Sequence, residues 1–167
     1  FSLLASQLSV FSGGSQNVRL TLFINRATSG AMGAPTIADA HDIVFGRIVT
    51  FERCKSDGAA DTAIDVIGTG FHNDIYDVPV SVPGATTTDV NRLVVAAFGG
   101  YSIGATDAGA ATNASLSGIT ERADSVSDGM HIAVITGIKT TAGAYNATTT
   151  TLAGNSIMAG FSLALRP

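Results

Sequence analysis

Apolar and polar positions alternate with a period of two at the clearest points of this chain. That spacing puts successive side chains on opposite faces of a β-strand. Val18-Arg19-Leu20-Thr21-Leu22 shows it most plainly, before running into Phe23-Ile24. Further runs rich in β-branched and aromatic residues, bounded by Gly, Pro, Asn, Asp or Ser, cover 43–51, 76–82, 93–98, 131–138, 148–152 and 157–165. No window of about twelve residues carries a capped 3.6-residue period, so helix is expected only as short turns near 59–64 and 86–90. Pro79 and Pro83 flank Val80-Ser81-Val82. A proline cannot donate to a ladder, which predicts an edge strand or a sheet switch there. Residues 102–117, rich in Gly, Ala, Thr, Asp and Asn, read as a long loop. The Thr148–Thr151 run fits a two-sided strand. Many short strands with frequent turns predict an all-β fold, an antiparallel β-sandwich of jelly-roll type forming a single domain over residues 1–167.

The chain also resembles itself. At an offset of 113 residues, Arg26-Ala27-Thr28-Ser29-Gly30-Ala31 falls on Lys139-Thr140-Thr141-Ala142-Gly143-Ala144, each after an apolar strand (20–24 and 133–138). The strands that follow, 43–53 and 156–166, bring Arg53 onto Arg166. At an offset of 118, Phe1-Ser2-Leu3-Leu4-Ala5 falls on Ile119-Thr120-Glu121-Arg122-Ala123. This predicts two internally similar halves packed on each other. A strand at 91–98 precedes the second half, so a counterpart strand is expected before residue 1, making the chain an N-terminal truncation of the natural domain.

Composition narrows the function classes. With 167 residues the chain can bury roughly two-thirds of its unfolded surface, enough for a core without staples. Only 13% of residues are charged, against about a quarter in ordinary domains. The net charge of −4 argues against nucleic acid as a partner. The longest apolar run, Leu93–Phe98, is far shorter than the roughly 20 residues of a membrane helix, so no membrane partner is expected. The single cysteine, Cys54, reads as a small buried hydrophobe, with a catalytic thiol as the minor reading.

Candidate chemistry is sparse. His41, His72 and His131 are scattered, and no Gly-x-Ser-x-Gly elbow accompanies them, so no catalytic residues are assigned. His131 reads as a packed or edge residue. Asp57, Asp61 and Asp65 recur every four residues, and Asp74 and Asp77 flank Ile75-Tyr76. Such oxygens can hold Ca2+, but the EF-hand spacing is missing and ordinary Asx turns account for them, so no metal or other cofactor is expected. Gly99-Gly100 reads as a tight turn or bulge. Phe71, His72, Asn73, Asp74 and Tyr76, with Tyr101 and Tyr145 from elsewhere, could build a sugar platform; the alternative places Phe in the core and Tyr at its rim. Abundant small residues, low charge and many strand edges favour an assembly surface between subunits.

Four pieces of the sequence carry a resemblance: Leu20–Ala31, Asn91-Arg92-Leu93-Val94-Val95, Thr120-Glu121-Arg122-Ala123, and the ending Leu163-Ala164-Leu165-Arg166-Pro167. Together they resemble small β-sandwich virion proteins of phage and prophage structural modules. That family carries a Gly-Trp-Thr segment, whereas this chain has Phe1 and Ile119 where its Trp would stand. The resemblance implies a jelly-roll-like, non-enzymatic virion structural protein on the particle exterior. Capsid decoration (cement) or a tail accessory role is the first reading, with other virion proteins and further copies of itself as partners. The alternative is a carbohydrate-binding attachment module (an adhesin) using the loops at 71–77 and 102–117, with Phe71, His72, Asn73, Asp74, Tyr76 and Tyr101 as ligand-binding residues.

Overall fold

The computed structural model describes residues 2–10, 17–27, 36, 44–55, 63–103 and 107–167. The described strands are β1 (Ser2–Val10), β2 (Asn17–Ile24), β3 (Ile64–Ile67), β4 (Phe71–Val82), β5 (Thr86–Thr87), β6 (Arg92–Ile103), β7 (Ser117–Ser127), β8 (Met130–Lys139), β9 (Gly143–Ala144) and β10 (Thr148–Leu165). All pair antiparallel. The main sheet runs β3-β10-β6-β8-β7, with β4 also paired to β10; β1-β2 and β5-β9 form separate pairs. The all-β, antiparallel sandwich expected from the alternation is what the chain forms. Among the described residues no helix is long and apolar enough to cross a membrane, which leaves membrane crossing by strands unaddressed.

Burial explains which runs became central. Val94–Gly100 of β6 and Ala133–Gly137 of β8 are buried at every position, as suits strands covered on both faces. On one face, Val95, Ala97, Val134, Leu163 and Leu165 receive Leu4 and Leu22 from β1 and β2, with Val49 and Phe51 beside them. On the other, Ala96, Phe98, Ala133, Ile135 and Met158 pack under Val80, Val82 and Leu152. That second cover exists because β10 is paired with β4 as far as Gly160 but with β6 only from Asn155 onward. Thr148–Thr151 pairs with Val82–Pro79, the register breaks before Ser156, and from Asn155 the strand pairs with β6. The early part of β10 and the end of β4 thereby form a layer over the main sheet. Tyr145 closes one end, packed with Val94 and Ala164, its hydroxyl donating to Ser162 Oγ at 3.1 Å while Ser162 donates to the Pro83 carbonyl at 2.6 Å.

Several local expectations change. Pro79 does sit on a strand that, among the described strands, pairs with β10 alone, as an edge proline should. Residues 44–51 form no strand, although Val49 and Phe51 pack half-buried against the sheet. Apolar burial there is satisfied by packing across strands instead of by ladder bonds. Residues 71–77 are strand, not loop. Gly99 and Gly100 lie inside β6, not at a turn; a Cβ on Gly100 would come within 2.3 Å of the Ile157 carbonyl oxygen, so the glycine permits close strand approach. Thr86–Thr87 is a short strand instead of a helical turn. The self-similar segments occupy unlike places. Residues 20–24 belong to the β1-β2 pair and 133–138 to the centre of the main sheet, while 44–53 is not strand and 156–165 is.

Candidate functional site

The ionisable side chains that the fold brings together lie around the β7-β8 hairpin. Asp128 and Gly129 have φ of 50° and 78°, the pair of positive values a two-residue I′ turn needs. The turn fixes Ser127 opposite Met130, Val126 opposite His131 and Asp124 opposite Ala133. Asp124 and His131 are therefore diagonal neighbours on one face. His131 Nε2 lies 3.0 Å from Asp124 Oδ1, with side-chain exposures of 1% and 6%. The other oxygen, Oδ2, accepts the Ala108 backbone N–H from the 107–116 loop. The Phe98 ring stands 5.4 Å from the imidazole, centroid to centroid.

This geometry sets the tautomer. Nε2 carries the proton and donates it to Asp124. Nδ1 is enclosed, with no hydrogen-bond partner among the described residues. Burial lowers the His131 pKa, outweighing the opposite pull of Asp124 and Asp107, because a second N–H would face apolar surroundings. The ring is consequently neutral near pH 7. Glu121 moves the other way: loss of hydration, reinforced by the charges of Asp124 and Asp107, raises its carboxyl pKa. A shallow open groove of about 610 Å³ runs beside it, between Arg47–Thr50 and Glu121–Asp124. Arg47 Nη2 donates to Ser125 Oγ and ties the two walls together.

A second charged cluster ties down the opposite end. The Asp65 carboxylate, its side chain shielded from solvent, accepts the Thr88 backbone N–H at 2.8 Å and the Thr88 hydroxyl. Arg92 Nε lies 3.4 Å away and Arg166 Nε 3.5 Å; Asp89 faces Arg92 from outside at 3.2 Å. Burial alone would raise the Asp65 pKa, but the Thr88 bonds and Arg92 together hold it below its ordinary value.

The residues singled out from sequence fall in separate places. Phe71 packs into the core over Gly160, where a Cβ would come within 2.2 Å of its ring. His72 is exposed and Asn73 half-buried, the Asn73 carbonyl accepting Ser9 Oγ at 2.7 Å. Half-buried Tyr101 stands across β10 from this stretch, paired with Ile157. The backbones of Asp74 and Tyr76 lie in β4, their side chains outside the described part. Strand alternation sends Phe71 and Asn73 to one face and His72 to the other, so Phe71, His72 and Asn73 do not share one face. Asp65 is a counter-ion for arginine. His41, Asp57 and Asp61 lie outside the described residues, and among those described no three His, Cys, Asp or Glu gather as a metal-holding group. Cys54 is half-buried against Val95 and its neighbours, and burial raises its thiol pKa. His131 is packed, as its sequence position suggested. Its partner Asp124 was not anticipated, although an Asp and a His flanking Asp128-Gly129 at hairpin spacing were the signal for it.

Compared with protein-family models, with curated proteins and with solved structures, the chain matches none.

Proposed function

We propose that the chain is a non-enzymatic structural subunit on the exterior of a phage particle, decorating or cementing the capsid, with a tail accessory role as the second placement. The phage assignment rests on the sequence resemblance. The observation that carries the assembly role is the outward face of the β1-β2 pair. Leu3 and Phe23 stand opposite each other there and are 62% and 52% exposed; Leu8 and Val10 continue the row. Arg19 is the charged side chain of that face, opposite Leu8, and Ser6 and Thr21 lie between. Interface cores are depleted of charge in this way.

The His131–Asp124 pair fits the same reading. Its spare nitrogen is enclosed, so the pair holds a loop in place and offers no proton to an outside substrate. The test is a binding experiment with emptied heads and with isolated tails. Saturation of heads at a lattice-fixed stoichiometry, with a raised capsid melting temperature, is the expected result. Phe23→Ser should weaken binding by more than about tenfold while leaving the monomer's stability within about 0.5 kcal/mol. Binding to neither heads nor tails removes the proposal.

A further inference from the structure

The Asp124–His131 pair sits at a seam. Residues 109–113 are stitched to the early part of β10: Gly109 N–H to the Thr151 carbonyl at 2.7 Å, Thr112 N–H to the Thr149 carbonyl at 2.8 Å, and Thr149 N–H back to Thr112 at 2.9 Å. They belong to the layer that covers Phe98, Ala133 and Ile135. Ala108, the next residue back, reaches across to Asp124 on β7, in the sheet beneath. One carboxylate thus holds the covering layer through Oδ2 and the imidazole of the underlying sheet through Oδ1.

We propose that this Ala108–Asp124–His131 arrangement is an acid-sensitive clasp, closed while His131 is neutral and opened by its protonation, which loosens the seam over the apolar face around Phe98. A protonated ring must place an N–H at Nδ1, where the described residues supply no acceptor. Meeting that demand requires the ring or the loop to move toward water. The charged groups that bear on the ring are Asp124 from β7 and Asp107 from the loop; both favour the cation and set how far the pH must fall. β6 contributes Phe98 and Gly100, which carry no charge. Glu121, two strand positions beyond, responds to the same two carboxylates. The clasp stands on this geometry and not on the phage assignment.

Amide hydrogen exchange of the whole chain, corrected for intrinsic rates, tests it. The Ala108 amide should lose protection by up to about tenfold per pH unit once the pH falls below that of an unperturbed histidine, roughly 6.5. The Thr112 and Thr149 amides, held by β10, should change much less. His131→Gln, which can still donate to Asp124 but cannot titrate, should remove the pH dependence. Because that variant could fail to fold, nitrogen chemical shifts of His131 in the unaltered protein give an independent check. Protonated Nε2 and unprotonated Nδ1 at pH 7.5 are expected, with loss of that signature coinciding with Ala108 deprotection. Unchanged Ala108 protection down to pH 5, the same decline in His131→Gln, or the opposite tautomer would overturn the clasp.

Discussion

Asp65 illustrates how a charge enters an apolar protein. Its carboxylate gives up water and receives a backbone N–H, a hydroxyl and two guanidinium groups in exchange. Arg92 is itself 8% exposed, so neither partner tolerates being left alone. Asp65→Asn should cost about 3 kcal/mol in denaturant unfolding, with Asp89 limiting the loss by still facing Arg92. His131 makes a separate, pH-dependent contribution. Its native pKa lies below the unfolded value of about 6.5, so the unfolded chain binds the proton first. The stability it supports is complete above that pH and is lost as the pH falls toward the native value. Glu121, with a raised pKa, works in the opposite sense, and Asp65, with a lowered pKa, loses its contribution only as the pH falls below the ordinary carboxylate value. Between pH 7.5 and 5.5 the His131 contribution is read as the difference between the unaltered chain and His131→Gln. The melting temperature should fall further across that interval in the unaltered chain than in His131→Gln.

Elements were legible where local pattern and final environment agree. β2 shows exposed and buried positions in alternation from Asn17 to Leu20, as its sequence reads. β6 and β8 were visible as continuous β-branched runs because both their faces are covered. The Asp128-Gly129 turn is equally local, since its positive φ values suit those two residues. Gly129→Ala should destabilise the hairpin by about 1 kcal/mol, read as a lower denaturant midpoint at unchanged m-value. The misreadings arose where distant chain decides. Phe71-His72-Asn73-Asp74 is polar enough to suggest a loop, yet β10 offers it a ladder and Gly160 offers Phe71 a seat. Ile43–Phe51 has the composition of a strand, yet from residue 44 it forms none: Val49 and Phe51 pack partly buried against the sheet while Val44 and Ile48 stand exposed. The Asp124–His131 contact was readable only by combining the turn with its register. The Asp65–Arg92–Arg166 cluster had no local signal, because its members come from segments far apart in sequence.

At the scale of the molecule, low charge and two apolar faces on one sheet require cover from both sides. The β1-β2 pair supplies one cover and the β4-β10 layer the other. One outermost strand of the main sheet, β7, carries Glu121, Arg122 and Asp124 and breaks register on both sides of Thr120 and Glu121. Charges and bulges of this kind discourage uncontrolled edge pairing. The β1-β2 face is different: apart from Arg19, its described side chains are apolar or uncharged, and the row of Leu3, Phe23, Leu8 and Val10 stands exposed. An apolar row left open on that face is what the proposed docking on a larger particle would use. Cryo-electron microscopy of intact particles from the source tests this most directly. The account predicts density for this sandwich at regular positions on the particle exterior, with Leu3 and Phe23 against a neighbouring subunit. Particles that lack the chain altogether, or that carry it with the β1-β2 face turned to solvent, would contradict it.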